Sequence, residues 1–534
     1  MPVFHLKQDF NPETLFALWP ELAQHPLAGQ LATAFSAVRR LVKDSRCVEP
    51  NDAFIHLLGC TEQGDLYQEQ ALAAGARVIL VAMEADQPLD MRCEERAGQT
   101  LVWLDLPDLK ARLGLWLAQI RAQTAKVEGV ASHLNSVAVT GTNGKSSVAH
   151  FLTQAYQQLD QQVALVGTLG YGRLSALQPA THTTPDLLVM HDFYQCWAEE
   201  GVSQVVLEAS SHALDQGRLD GLQIQTAVFT NLTRDHLDYH PSFAAYGAAK
   251  RRLFERPEIE RGVICIDDAF GQELAATSWP YPVLTYSLDA QSQADLKLLQ
   301  VSYHAQGIRA QCLLQGQPLQ LELGLLGDFN LANVLAVALV LWPQVQDLRH
   351  LQKLLNALQP VPGRMQCLET TPQVVIDYAH TPDALAQALQ AVRRHTQGRL
   401  WCVFGCGGDR DTGKRPLMGA AAATYADQLV VTDDNPRSED PALIRAAILA
   451  SAGSAAVAIG DRAQAIAYAL QQAGRDDVVL IAGKGHETTQ QLGAITVPFS
   501  DVEVALQHLE SHGLKAHRQT STTSLIKGTQ DLSC

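Results

Sequence analysis

Val137-Ala138-Val139-Thr140-Gly141-Thr142-Asn143-Gly144-Lys145-Ser146-Ser147 decides how the rest of the chain is read. A short apolar strand runs into a glycine-rich turn, a Lys-Ser pair and an apolar-periodic helix starting near Val148, the setting a phosphate-binding loop requires. Gly141 and Gly144 let backbone N–H groups of the loop, Thr142 and Asn143 included, converge on phosphate oxygens. The following helix points its positive dipole end at the same anion. Lys145 adds a point charge and Ser146, followed by Ser147, offers a hydroxyl to Mg²⁺. Three residues separate Gly141 from Lys145, fewer than in the general pattern, so the loop is a short variant. An ordinary strand–turn–helix corner shares the Gly-x-x-Gly-Lys-Ser spacing, but here strand, turn and helix agree.

At 534 residues the chain is too long for one core, and about three domains are expected. Hydrophobic residues at 47% and charged residues at 18% give a globular balance. A net charge of −16 excludes a general nucleic-acid binder, so an anionic substrate needs locally placed Lys, Arg and metal. The ten cysteines form no paired framework, and reduced thiols in a cytoplasmic protein are expected. The N-terminal residues carry no signal-peptide pattern. No uncharged apolar stretch is long enough to span a bilayer, so no membrane insertion is expected.

Three α/β regions separate by pattern. Residues 1–112 mix short strands (53–58, 77–82) with helices; a helix is expected over 106–123 and a linker over 122–128. Residues 113–361 open on the phosphate loop and continue with strands at 162–166, 204–207, 227–230 and 262–266, with helices between several of them. That alternation predicts a parallel sheet. Pro360-Val361-Pro362-Gly363 punctuates the next boundary. Residues 362–514 alternate again (strands 374–377, 400–404, 428–432, 478–482; helices 383–394, 441–451), a second doubly wound domain. The polar tail 515–534 is expected to be disordered.

Glu208 stands at the C-terminal end of a predicted strand, the edge where open α/β sheets bind ligands. It could hold the Mg²⁺ that Ser146 also contacts, although a lone Glu there is more often a surface carboxylate. The loop Asn231-Leu232-Thr233-Arg234-Asp235-His236-Leu237-Asp238-Tyr239-His240 gathers two His and two Asp. Lys250 stands in a basic helix, where a solvated lysine is the plain alternative.

These stretches resemble the Mur ligases, the ATP-dependent peptide-bond-forming family of cell-wall synthesis, and most nearly their MurE-type branch. The likeness runs from Asp44-Ser45-Arg46 through Thr183-Thr184-Pro185, Gly327-Asp328-Phe329-Asn330-Leu331-Ala332-Asn333, Pro362-Gly363-Arg364-Met365, Asp377-Tyr378-Ala379-His380 and Asp434-Asn435-Pro436-Arg437 to Gly483-Lys484-Gly485-His486-Glu487. It implies a three-domain α/β fold: an N-terminal uridine-nucleotide domain, a central P-loop ATPase-like domain and a C-terminal Rossmann-like domain.

The resemblance implies roles as well. Ser146 and Glu208 would hold one Mg²⁺; His236 and an N-carboxylated Lys250 would hold a second; Lys145 would meet the phosphates. Asn330, Asn333, Arg364, Asp377, Tyr378 and His380 would contact ATP. Ser45, Arg46, Thr183, Thr184, Ser210 and Arg218 would contact UDP-MurNAc-L-Ala-D-Glu. Arg410, Asp434, Asn435, Pro436, Arg437, Gly483 and Glu487 would receive the amino acid. Arg437 offers a bidentate fork to a carboxylate. That favours meso-diaminopimelate, whose distal end carries a carboxylate, over lysine, whose distal ammonium an Arg repels. The implied reaction is addition of meso-diaminopimelate to the dipeptide through an acyl phosphate, by a monomer. A paralogous amide ligase with another acyl acceptor and a catalytically silent binding subunit are the alternatives. The segment Gly59-Cys60-Thr61-Glu62-Gln63-Gly64 departs most from the family pattern, with Gln63 where an Asp is expected.

Overall fold

A computed structural model describes residues 2–6, 12–57, 64–96, 98–130, 134–512 and 516–517. The departure at residues 59–63 and most of the tail lie outside the described residues.

The central sheet has ten strands, and the strand Asn135–Thr140 that feeds the phosphate loop lies inside it, between Gln204–Glu208 and Thr226–Phe229. All three run parallel, with Leu207 opposite Ala138 and Thr226 opposite Val137. The chain first leaves toward Val163–Gly167 on one side, fills the gap with Gln204–Glu208, then crosses to Thr226–Phe229 on the other. This reversal opens a crevice at the strand ends, where α/β sheets take ligands. Here the crevice receives Gly141, Glu208 and Thr230 together. The expected strands are present with ends shifted by a residue or so. The helix begins at Lys145 rather than near Val148. Antiparallel strands Leu296–His304, Gly307–Leu314 and Gln317–Leu323 extend the sheet beyond the parallel part.

Helix Asp328–Val345 has the length and apolarity to cross a membrane, contrary to the expectation that no stretch does. Its apolar face is nonetheless spent on the protein: Leu331, Val334, Leu335, Ala338 and Leu339 are fully buried in the core under this sheet.

Residues 122–128, expected as a linker, are helical. One helix spans Leu109–Glu128, because the polar run Gln123–Lys126 continues a helix whose buried face already carries Leu113, Trp116, Leu117 and Ile120. Those side chains join a core with Leu187 and Leu188 of the helix Leu187–Glu199. The expected boundary after residue 112 thus falls inside this helix. Gly114 lets the same helix lie against the segment that leads into Thr226–Phe229: a Cβ there would lie 2.5 Å from the carbonyl carbon of Asp220. Arg121 Nε bonds His191 Nδ1 (3.1 Å) across the junction with Leu187–Glu199.

The first sheet has six strands in mixed orientation. The third has seven, with Gln373–Asp377, Val478–Ala482, Leu400–Phe404 and Gln428–Val431 parallel and adjacent in that order. Their C-terminal ends carry Tyr378, Gly483, Gly405 and Asp433–Asp434, so the third region also presents its motifs on one edge.

Candidate active site

The phosphate loop is held from both flanks. Gly141 (φ +145°) and Gly144 (φ +87°) take backbone that L side chains rarely adopt. A Cβ on Gly141 would meet Thr230 Oγ1 at 1.9 Å, and one on Gly144 would meet Asn333 Oδ1 at 2.5 Å. Thr230 Oγ1 donates to Asn143 O (2.6 Å), and Asn143 N donates to Asn231 Oδ1 (3.0 Å). Asn333 therefore touches the loop. Asn330 lies one turn back, its Nδ2 bonded to Leu326 O (2.9 Å).

Two lysines converge on one carbonyl. Lys145 Nζ donates to Gly141 O (2.9 Å) and Thr142 O (2.7 Å), and Lys250 Nζ donates to Gly141 O (2.7 Å). Lys250 comes from the helix Phe243–Arg251, capped by Ser242, is 1% exposed and lies 4.3 Å from the centre of the Tyr246 ring. It is not the solvated lysine of the plain reading. Among the described residues neither ammonium is within ion-pair distance of a carboxylate. Burial pushes the Lys250 amine well below its usual range, and the Lys145 charge pushes it further. Burial also lowers Lys145, against the pull of Glu208 and Asp235. Arg364 of the third region adds to that lowering, so its charge is felt at the loop.

Glu208 is 2% exposed and accepts from Ser146 Oγ (2.9 Å), Thr168 N (2.8 Å) and Thr168 Oγ1 (3.3 Å). Hydroxyl and carboxylate thus meet on the phosphate side, a pair of hard oxygen donors suited to Mg²⁺. No group of three or more His, Cys, Asp or Glu suited to a metal exists among the described residues. His236 takes a left-handed backbone (φ +51°), with its ring 4.9 Å from that of His212 and 6.0 Å from that of Tyr246. Burial lowers its pKa, with the Asp235 carboxylate opposing, so the neutral ring keeps a lone pair for a metal.

Thr184 Oγ1 donates to Glu208 O (2.6 Å), and Thr183 Oγ1 lies 3.1 Å from Thr168 Oγ1. Arg218 Nη1 bonds Thr184 O (2.8 Å). Ser210 Oγ caps the short helix Ser211–Asp215. In the first region Ser45 Oγ donates to Gln70, and Arg46 pairs with Asp44 while 84% exposed. Lys43 Nζ reaches Asp186 Oδ2 (2.7 Å), which sets this turn beside Thr183-Thr184-Pro185.

The third region forms a second cluster. The Arg364 guanidinium lies 4.6 Å from the Tyr378 ring centre, and His380 and His486 flank that ring at 4.8 and 5.4 Å. Arg364 Nε and His486 Nδ1 are buried without a hydrogen-bond partner. Asp377 accepts from Met365 N and Ala379 N (2.8 Å each); burial raises its pKa, and Arg364 and these N–H groups oppose. Asn435 Nδ2 donates to Glu487 Oε2 (3.1 Å), and Arg437, left-handed at φ +52°, donates from Nη1 to Gly408 O (2.5 Å). Pro436 packs on Gly408, whose added Cβ would meet Pro436 O at 2.0 Å. Gly483 does the same for Asp434, at 2.6 Å from Oδ2. The Arg410 and Asp434 charges both reach Tyr378.

Reading the sequence missed Thr168, His212 and Lys484 as site residues. Thr168 follows a parallel strand next but one to the loop strand, a signal that was available. Nothing in sequence marks Lys484 as buried.

Two family models match: the Mur ligase middle domain over residues 139–341, and the Mur ligase glutamate ligase domain over 363–485. A UDP-N-acetylmuramoyl-L-alanyl-D-glutamate–2,6-diaminopimelate ligase of Alkalilimnicola ehrlichii is 44% identical over 476 residues, 88% of this chain and 94% of the relative. A solved structure of a ligase of the same name is 37% identical, covering 89% of this chain and 95% of that one with a TM-score of 0.68. The MurF ligase from Thermotoga maritima in complex with ADP shares the fold at 18% identity, covering 88% of this chain and 97% of that one, TM-score 0.55.

Proposed function

The chain belongs to the Mur ligase family, and from that premise we propose that it joins meso-diaminopimelate to UDP-MurNAc-L-Ala-D-Glu at the expense of ATP. It works as a cytoplasmic monomer in peptidoglycan precursor synthesis. The observation that carries the ATP half is the convergence of Lys145 and Lys250 on Gly141 O beside Ser146 and Glu208. A half-buried Lys145 ammonium with no carboxylate partner, beside a buried Lys250 whose amine is pushed toward its neutral form, is disfavoured unless an anion completes it. ATP phosphates supply that anion. The substrate half rests on the relatives' identity and on Asn435, Arg437 and Glu487 lying on one strand edge.

The D-glutamyl carboxylate attacks the γ-phosphorus in line. An O–P bond forms, the β–γ bridging P–O bond breaks, and ADP leaves with the electron pair. Lys145 balances charge on the phosphoryl oxygens. The neutral amine of diaminopimelate then attacks the acyl carbon. A C–N bond forms, phosphate departs and the nitrogen loses a proton. Arg437 and Glu487 orient the zwitterionic head of the amino acid so that its other amine is the one presented.

Ser146 and Glu208 would hold one Mg²⁺, and His236 with N-carboxylated Lys250 a second, whose positive charge offsets the crowding of phosphate oxygens. The lowered pKa of Lys250 suits carboxylation, because only the free amine attacks CO₂. Carbon-13 NMR after exposure to labelled CO₂ is expected to show one carbamate resonance that Lys250→Arg loses; an unchanged spectrum in the variant would refute it. The reaction is tested with substrate labelled by oxygen-18 in the D-glutamyl carboxylate. One label is expected in the released phosphate, and product mass is expected to rise by one diaminopimelyl residue. Unlabelled phosphate alongside normal product would rule out the acyl phosphate.

A further inference from the structure

Lys484 lies beneath the amino-acid pocket and is 0% exposed. Its Nζ donates to Glu487 Oε2 (2.9 Å) and reaches Asn435 Oδ1 (3.3 Å). The same Glu487 oxygen accepts from Asn435 Nδ2 (3.1 Å), and Asn435 Oδ1 also accepts from Gln491 N (2.9 Å). Lysine, amide and carboxylate thus close a triangle. Among the described residues Glu487 Oε1 has no hydrogen-bond partner, and the Glu487 side chain is 32% exposed.

The backbone is shaped to bury this lysine. Gly483 (φ +116°) and Gly485 (φ +54°) flank it in left-handed conformations. A Cβ at Gly483 would lie 2.6 Å from Asp434 Oδ2, and one at Gly485 would lie 2.8 Å from both Gly363 O and Tyr378 Cβ. Glu487 N also bonds Lys484 O (2.9 Å), so a tight turn ties lysine and glutamate together. A lysine buried to zero exposure is otherwise rare and needs a paired anion.

We propose that Lys484 is a positioning residue of the amino-acid pocket: by occupying Glu487 Oε2 and Asn435 Oδ1 it fixes both side chains and leaves Glu487 Oε1 as the acceptor for the substrate ammonium. This deepens the reading above and rests on it. Lys484 touches no substrate. Its effect passes through Glu487, so the two positions are energetically coupled.

The test is a double-mutant cycle on the full chain with Lys484→Met, Glu487→Gln and the double variant, read by phosphate release. Met fills the space of the lysine stem, and a melting curve checks the fold of each variant. Lys484→Met is expected to raise KM for meso-diaminopimelate at least tenfold while KM for ATP stays within twofold. The double variant is expected to be no worse than Glu487→Gln alone, and Lys484→Arg to recover part of the loss. Multiplying effects in the double variant, or a parallel rise in KM for ATP, would overturn the role. Should Lys484→Met fail to fold, Lys484→Arg and Lys484→Gln carry the same cycle. A wild-type chain whose phosphate release ignores meso-diaminopimelate would overturn the functional reading and this inference with it; a responsive wild type with an additive cycle would overturn this inference alone.

Discussion

The phosphate loop and the amino-acid pocket treat charge in opposite ways. Around Gly141 the half-buried Lys145 and the buried Lys250 share one carbonyl, and no carboxylate among the described residues pairs with either. In the third region several buried or half-buried charges are already matched: Lys484 with Glu487, Arg415 with Glu439, Arg445 with Asp433, Arg462 with Asp501. The first site is left unbalanced until an anion arrives, so it selects by charge. The second is balanced beforehand, so it selects by where its free acceptors and donors point. A polyanion such as ATP suits the first; a zwitterion, with no net charge to reward, suits the second.

The sharpest way to break the contrast is to remove one cation from each side. Lys145→Met is expected to lower turnover by about a hundred- to a thousandfold, because a preorganised charge on the transferred group is lost. It is also expected to leave the melting temperature unchanged or higher, since an unpaired, half-buried cation has gone. A clear drop in melting temperature would mean the lysine is structurally matched after all. Arg462→Met should do the reverse. Arg462 and Asp501 are both fully buried, so breaking the pair strands a carboxylate and is expected to cost about 3–5 kcal/mol of stability, read from urea denaturation. A loss under about 1 kcal/mol would contradict the matched-charge account.

Next in size, Arg437→Lys keeps the charge but removes the fork. KM for meso-diaminopimelate is expected to rise about tenfold or more, with KM for ATP unchanged. Equal rises would make Arg437 a structural residue. The smallest effect concerns pH. His150, on the helix that follows the phosphate loop, is buried, and burial lowers its pKa from 6.5 to about 4. Above 6.5 this ring is neutral in folded and unfolded chains alike and adds no pH dependence. Below it the unfolded chain takes the proton first, so stability falls with pH until about 4, where the folded form protonates too. His150→Gln is expected to flatten part of that slope in melting curves; an identical slope would place the acid sensitivity elsewhere.

Much of this was legible before any coordinates. The loop Gly141–Lys145, Glu208 at a strand end and Lys250 in its helix could be placed because strands, turns and helices announce themselves by period and glycine. The long helix Leu109–Glu128 could not, since its last turns are polar and only the neighbouring core shows which face is buried. Nor could the burial of Lys484 or the sharing of the Gly141 carbonyl, which depend on segments far apart in sequence. The antiparallel extension at Leu296–Leu323 was also missed, although Gly307–Leu314 and Gln317–Leu323 alternate buried apolar with exposed polar residues, a period-two signal that was available.

The account turns on one unbalanced and one balanced site serving a single reaction, and phosphate release from ATP tests it most directly. With UDP-MurNAc-L-Ala-D-Glu present, release is expected to depend on meso-diaminopimelate, with little from L-lysine and little without an amino acid. Release with L-lysine equal to that with meso-diaminopimelate would contradict the claim that the second site selects by the placement of its donors and acceptors.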